Sequence, residues 1–492
     1  MPALLDVTVS GRRLAAIDHL VVGAFAGQRQ VSAALDARTR AAADRLLASG
    51  KFGGDEAEAR GGERPGGGSL TVVGLGKAGV FDARRLRKLI ERAVALARAS
   101  GARRLALALP EHATCEGESG GGRAARDAAL ATYRFDSYRS EAKPGRLRQI
   151  VLVPPSGSSA DAFRRGVTVG LAVAAGSSWA RDLANTPPND ATPVWMAARA
   201  REGARRWRAK VQILTPVEMR RRGMGGLLAV GGGSRNPPRL VRLEVGRGPL
   251  TVALVGKGVT FDTGGISIKP AAQMDEMKWD KCGAAAVLGI LEAVSRLDLP
   301  IRLRAYLPLA ENMPDGAAYR PGDIVTMANG KSVEILNTDA EGRMILADAL
   351  AWAAAEKPDA LVEYSTLTGA CVVALGPTGA GLFTPDDALA GELLAAAGEV
   401  GERLWRLPLW EEFLEEMRGV HADLKNSGGR WGGASTAAAF LSQFVGEAPR
   451  WAHLDVAGPA YVGEGKERRG ATGYGVALTV EWLRRLAKPA RR

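Results

Sequence analysis

Apolar and polar positions alternate at the start of the chain. Leu5, Val7 and Val9 share one face of an extended segment, the period of a half-buried strand. Further on, Leu70–Leu75, Leu105–Leu109 and Ile150–Val153 are short apolar runs that predict strands. Between them, Asp82–Ala99 places Leu86, Leu89, Ile90, Val94 and Leu96 mostly on one stripe, which predicts an amphipathic helix. Residues 51–69 hold glycines and charges without an apolar period and read as a mobile hairpin tip. These elements predict a smaller N-terminal α/β domain over residues 1–157. Pro154-Pro-Ser-Gly-Ser-Ser159 is the best linker. Asp161–Leu183 then has the pattern of one helix. It is expected to end at Asn185-Thr-Pro-Pro-Asn189, because a residue before proline is pushed out of helical geometry. Residues 158–186 are therefore read as a linker helix.

From 187 to 492 the pattern changes to regular alternation. Strand-like runs at Thr251–Val255, Ile301–Leu307, Ala360–Tyr364 and His453–Val456 alternate with helix-like runs at Ala284–Arg296, Met344–Ala355 and Ala437–Val445. This predicts a larger C-terminal catalytic α/β domain, with a mixed central sheet flanked by helices. In open sheets of this kind, sites lie at the carboxyl ends of the strands. No internal repeat is evident.

Composition narrows the class. A length of 492 residues suits two or three domains, and 46% apolar with 24% charged residues suits a soluble globular protein. No apolar run reaches the roughly 18 residues of a membrane span, and the first residues lack the pattern of a signal peptide. Cys115, Cys282 and Cys371 are too few and too scattered for a disulfide framework or a cysteine zinc site, so a cytoplasmic location is expected. The net charge of +13 is uneven: residues 1–190 hold 28 Lys+Arg against 19 Asp+Glu, and the remainder 38 against 34. Solvated arginine-rich helix faces are the ordinary reading of that excess. A surface for DNA or another polyanion is the sharper one. No aromatic residues interleave with the arginines, and no helix-turn-helix signature accompanies them.

Candidate chemistry concentrates in two loops. Val255–Pro270 follows a strand-like run, is rich in glycine, and carries Lys257, Asp262 and Lys269; Asp280 follows in Lys278-Trp-Asp-Lys281. Asn337-Thr-Asp-Ala-Glu-Gly-Arg343 again follows an apolar run and precedes a helix. A phosphate-cradling Walker loop is excluded, since neither Gly256-Lys-Gly258 nor Gly74-Leu-Gly-Lys-Ala78 has its spacing. Taken singly, Asp339 reads as a helix N-cap and Glu341 as a first-turn carboxylate. Together, these acids and lysines at strand ends point to oxygen ligation of divalent metal, in the manner of two-metal hydrolases. Of the four histidines (His19, His112, His421 and His453), none forms a zincin helix motif, and His453 reads as a core residue. The chain has 14 lysines against 52 arginines, so Lys257 and Lys269 are unlike generic positive charge. A lysine can lose its proton and ligate metal, or stay charged and stabilise an oxyanion. Arg343 offers a planar fork for a carboxylate or small oxyanion.

These motifs resemble the leucyl aminopeptidase family of dinuclear metallopeptidases. The resemblance covers roughly Arg181 to Leu486 and includes Asn185–Asn189, Thr366-Leu-Thr-Gly-Ala370, Gly432–Ala437 and Trp451–Gly458. It implies hydrolysis of N-terminal, leucine-like residues from peptides, with two divalent metal ions (Mn2+ or Zn2+) per subunit. Lys257, Asp262, Asp280 and Glu341 would hold one ion; Asp262, Asp339 and Glu341 would hold the second. Lys269 would stabilise the tetrahedral intermediate, and Arg343 would hold a bicarbonate as general base. Met277, Thr366, Gly369, Ala457 and Ala460 would shape the substrate pocket. A homohexamer is implied as well. One departure is Glu363-Tyr-Ser365, where the family usually has an acidic residue and two small or apolar ones; the bulk of Tyr364 bears on packing beneath the Thr366 loop. A dinuclear peptidase restricted to Cys-Gly or similar dipeptides is the nearest alternative enzyme. A DNA-binding architectural protein using the basic N-terminal domain is the alternative from another class.

Overall fold

The apolar runs pair into two separate sheets. The computed structural model describes residues 6–10, 14, 16–49, 52–56, 58–141, 145–447, 450–463 and 470–487. Leu5, and Lys51 and Ala57 of the predicted hairpin loop, lie outside the described residues. The chain divides into two compact units: residues 1–174 with 399–401, and 175–398 with 402–492. The helix Ala160–Asn185 runs through the first division.

The smaller unit is an α/β sheet of six strands: β1 (Asp6–Val9), β2 (His19–Ala24), β3 (Ala59–Glu63), β4 (Ser69–Gly74), β5 (Arg104–Ala108) and β6 (Gln149–Val153). Their spatial order is β1-β6-β5-β2-β4-β3, all parallel except the edge pair β3/β4. The loop expected over residues 51–69 is thus partly a strand, with its turn at residues 64–68. Glycine and charge in β3 are tolerated because it is an edge strand in which Gly61, Gly62 and Glu63 are exposed. The amphipathic stripe forms the helix Ala83–Ala99, capped by the Asp82 side chain on the Arg84 and Arg85 amides; its buried face includes Leu86, Leu89, Ile90 and Val94. The helix Gly117–Ala131 escapes sequence reading, because four of its residues are glycine and glycine is a poor helix former. Packing explains those glycines: a Cβ on Gly121 would lie 2.2 Å from the Phe163 carbonyl oxygen, and one on Gly166 only 1.9 Å from that of Glu118. The two helix backbones touch.

The larger unit holds a nine-stranded mixed sheet. Its members are β7 (Lys210–Leu214), β8 (Arg239–Val245), β9 (Leu250–Gly256), β10 (Gly258–Asp262), β11 (Ile301–Asn312), β14 (Ala360–Ser365), β15 (Gly379–Phe383), β16 (Arg403–Arg406) and β18 (Trp451–Asp455). The order is β16-β15-β18-β14-β9-β11-β8-β7, with β10 also paired to β11. The centre, β18-β14-β9-β11, is parallel, and β15/β18, β11/β8 and β8/β7 are antiparallel. A small side sheet holds β12 (Ile324–Thr326), β13 (Ser332–Glu334) and β17 (Leu424–Lys425). The helices Cys282–Ser295 and Glu341–Ala355 are apolar nearly all round, as helices buried against a sheet must be. No helix among the described residues is long and apolar enough to cross a membrane.

Candidate metal centre

Each predicted site residue of the larger unit lies in or beside a loop at a strand's carboxyl end. Lys257 sits between β9 and β10, where its amide donates to the Tyr364 carbonyl (2.9 Å) and its carbonyl accepts from the Ala284 amide (2.7 Å). Asp262 is the last residue of β10. Asp280 ends a turn of 3-10 helix, Met274–Trp279, and precedes the buried helix Cys282–Ser295. The turn is fixed by Trp279, which stacks on Tyr461 (4.8 Å) and donates from Nε1 to Asn185 Oδ1 (3.0 Å). Asp339 lies in the turn after β13. Glu341 opens the helix Glu341–Ala355, and its first-turn carboxylate points to Lys257 rather than to solvent. Asp339 is not the N-cap, a position held by Ala340 without a side-chain bond.

The fold brings these groups into one cluster. Asp262, Asp280 and Glu341 are all buried and each offers a ligand oxygen within 4.8 Å of the others. Lys257 Nζ lies 2.8 Å from Asp280 Oδ1, 2.8 Å from Glu341 Oε1 and 3.1 Å from the Thr366 carbonyl oxygen. Lys269 Nζ lies 2.8 Å from Asp262 Oδ2 and is bonded to Asp339 Oδ1. No room remains for a side chain at Gly342, where a Cβ would lie 2.6 Å from Lys257 Nζ. Gly264, at φ +86°, adopts the left-handed conformation that turns the chain after Asp262.

Electrostatics follow from burial among like charges. Burial, then Asp262, push the Glu341 carboxyl upward. Burial raises Asp280 as well, against the pull of Lys257. Asp339 is raised by burial and by Asp262. Burial opposes the charge on Lys257, but Asp280, Glu341 and Asp262 outweigh it and hold the ammonium well above its ordinary value. Lys269 is shifted the same way, against its own burial, by Asp262, Glu341 and Asp339. Four carboxylates against two ammonium groups leave an excess of negative charge. Asp280 Oδ2 and Glu341 Oε2 are buried without a hydrogen-bond partner. Buried charged oxygens of that kind are costly unless a cation meets them. The donor set of hard carboxylate oxygens and one amine therefore fits divalent metal.

The remaining predicted residues fall around this cluster. Thr366 follows β14, and its Oγ1 donates to Asp280 Oδ1 (2.6 Å). Met277 is in the 3-10 turn, and its carbonyl accepts from the Asp280 amide (3.2 Å). Gly369 is exposed and opens the helix Gly369–Leu375. Ala457 and buried Ala460 follow β18, the strand beside β14. Arg343 Nη1 donates to the Asn426 carbonyl (2.8 Å), while its Nε is buried without a partner. The Tyr364 hydroxyl shares a hydrogen bond with Thr479 Oγ1 (2.6 Å), in the helix Val476–Leu486. His453 is a buried core residue, as expected. Its Nδ1 is bonded to Glu363, but its Nε2 has no partner.

Two polar residues with no role in the sequence reading hold the loops. Asp455 accepts from the amides of Leu367 (3.2 Å), Thr368 (3.1 Å) and Ala457 (3.2 Å) and from Thr368 Oγ1 (2.7 Å). Buried Asn426 accepts from the Leu336 (2.8 Å) and Asn337 (3.2 Å) amides and donates to the Asn337 carbonyl (2.7 Å). Asp455 had one sequence signal, a carboxylate ending an apolar strand run. Asn426 had none.

Comparison with known proteins gives the family. The model of the cytosol aminopeptidase family's catalytic domain matches residues 178–480, and that of its N-terminal domain matches residues 21–142. A probable cytosol aminopeptidase of Roseiflexus castenholzii is 46% identical over 424 residues, 84% of this chain and 86% of that protein. Among solved structures, the bottromycin maturation enzyme BotP in complex with Mn is similar with a TM-score of 0.83 at 39% identity, covering 96% of this chain and 100% of that one. A mutant of tomato leucine aminopeptidase gives 0.88 at 34% identity, covering 99% and 97%.

Proposed function

The chain belongs to the cytosol aminopeptidase family, and from that premise we propose that this metal-dependent aminopeptidase removes leucine-like N-terminal residues from peptides, with two divalent ions, Mn2+ or Zn2+, in each subunit. The observation that carries the reading is the meeting of buried Asp262, Asp280 and Glu341 within 4.8 Å, with two of their oxygens unmatched. Lys257, Asp262, Asp280 and Glu341 would hold one ion, and Asp262, Asp339 and Glu341 the other. Bound there, the ions would supply Lewis acidity toward a peptide carbonyl and an activated water.

The chain's own side chains do the rest. Lys269 is held charged by its carboxylate neighbours and keeps 21% of its side chain exposed, so its ammonium can face a developing oxyanion. Arg343 is steadied through Nη1 and keeps Nε clear of protein partners, which leaves part of its fork for a bicarbonate that acts as general base. Thr366, Met277, Gly369, Ala457 and Ala460 shape the pocket for the N-terminal side chain. A Cβ on Gly369 would meet nothing within 4 Å, so that side of the pocket is open.

We place the enzyme in the cytoplasm as a homohexamer. A DNA-binding role for the N-terminal domain is less favoured, because Arg85 (2.8 Å), Lys88 (3.3 Å) and Arg92 (2.6 Å, to the carbonyl) of one helix converge on Glu56, and part of the positive charge is neutralised there. The test is hydrolysis of leucine p-nitroanilide before chelation, after it, and after Mn2+ is restored, with elemental analysis of the loaded protein. Activity that disappears and returns, at two ions per subunit, supports the reading. Hydrolysis indifferent to chelation overturns it.

A further inference from the structure

Asn312 ends β11 directly opposite Asp262 in the β10/β11 register, and it is fully buried. From this one position it reaches both segments that carry the site. Its Nδ2 donates to Asp262 Oδ1 (2.8 Å) and to the Thr338 carbonyl (3.1 Å), next to Asp339. Its own carbonyl accepts from the Thr263 amide (3.1 Å) and Thr263 Oγ1 (2.9 Å). Asp262 Oδ1 thereby has two neutral donors, since the Gly264 amide also reaches it (2.9 Å). Asp262 Oδ2 has no such pair and faces the Lys269 ammonium at 2.8 Å.

We propose that Asn312 is a positioning residue. It locks Asp262 so that Oδ2 is the oxygen presented to a cation, and it ties Asp262 to the turn carrying Asp339 and Glu341. The proposal rests on the aminopeptidase reading, in which Asp262 is a ligand. Its physical basis is the cost of stranding buried donors. Rotating the Asp262 carboxylate would leave the Asn312 amide and the Gly264 amide unmatched at a buried position. A neutral amide suits the task better than lysine or arginine, because it orients the carboxylate without competing with a cation for its charge. Gly265 lies against this clasp: a Cβ there would come within 2.8 Å of Asn312 Oδ1, so the loop after Asp262 closes over the amide. The Thr338 carbonyl takes a second donor from Tyr319 (2.8 Å), and Thr338 Oγ1 donates to the Gly264 carbonyl (2.6 Å). The clasp therefore has its own scaffold on both sides.

The experiment uses the full chain with Asn312→Leu and Asn312→Ala, both of which remove the donor. Asn312→Ser, smaller and neutral, keeps the test open should either fail to fold. Folding is checked by circular dichroism, Mn2+ affinity by electron paramagnetic resonance of the free ion, and kcat and KM with leucine p-nitroanilide. Mn2+ affinity is expected to fall about 10–100-fold, with kcat lowered at saturating Mn2+ and KM nearly unchanged. Wild-type Mn2+ affinity and kcat in any folded variant would overturn the positioning role. Asp262→Ala run in parallel separates the two claims. If that variant keeps metal and activity, the site reading fails; if it loses both while the Asn312 variants lose nothing, only the positioning role fails.

Discussion

Both units are α/β, and they differ in a cluster of buried carboxylates that the larger one leaves partly unmatched. In the smaller unit, Asp127 is 2% exposed and is met by Arg126 through Nε and Nη2 (2.7 and 3.1 Å) and by Arg87 (3.4 Å). At the carboxyl end of its sheet, Glu111, which is exposed, accepts from Ser32 Oγ (2.6 Å), Ser156 Oγ (3.2 Å) and the Ser156 amide (3.0 Å). Both acids are satisfied by the protein itself. In the larger unit, Asp280 and Glu341 each keep an unmatched oxygen, and Asp262 crowds both. A parallel sheet thus provides a place for a site at its strand ends, but the architecture alone does not create one. Function resides where buried charge is left for something else to neutralise.

The largest expected effect tests the open side of this contrast. Asp262→Ala and Glu341→Ala should each abolish hydrolysis of leucine p-nitroanilide, with elemental analysis showing lost metal. Full activity in either variant would contradict the assignment. Next, Lys269→Ala should lower kcat by about 100- to 1,000-fold, the scale of losing one oxyanion donor, while metal content persists. Metal loss in that variant would instead make Lys269 a structural counter-charge.

The satisfied side should respond in stability alone. Asp127→Ala strands the Arg126 guanidinium and should destabilise the protein by about 3–5 kcal/mol in chemical denaturation. Turnover per folded molecule should be unchanged; a fall in kcat would break the contrast between the units. The smallest effect concerns Asp348, a buried carboxylate of the larger unit that lies outside the cluster. It accepts from the Leu227 (2.8 Å) and Ala328 (2.9 Å) amides. Asp348→Asn turns one acceptor toward an N–H and should destabilise by about 1–3 kcal/mol. Burial pushes the Asp348 carboxyl up to about 7, above its unfolded value. Its contribution is therefore full below the ordinary carboxylate range and is lost as pH rises through about 7. The variant lacks that slope, so the stability gap between wild type and variant should narrow from pH 5 to pH 8. A constant gap would show that Asp348 does not titrate in this range.

Much of this was legible in the chain, and the omissions have physical causes. The helix Ala83–Ala99 was readable because its stripe and Asp82 cap are local signals. The helix Gly117–Ala131 was not: its glycines argue against helix locally, and only the approach of another helix gives them a purpose. The strand His19–Ala24 is buried on both faces, but its unbroken apolar run, Leu20–Val22, is only three residues long before Gly23, too short a signal to stand out. At the site, Asn337–Arg343 was conspicuous because acids and an arginine crowd into seven residues. Asn312 and Asn426 were invisible because each is a lone amide whose partners lie far away in the chain.

By itself, then, the sequence determined which residues had the chemistry for a metal site, that they lie in loops between strands and helices, and the α/β class of both domains. Residue type and periodicity are local properties, and they suffice for that much. Only the tertiary structure decided that Asp262, Asp280 and Glu341 meet, that Lys257 and Lys269 insert among them, and that two of the carboxylate oxygens are left unmatched. Those facts depend on strand order and on burial that raises the cost of every unpaired charge, and neither is written in any short stretch of chain.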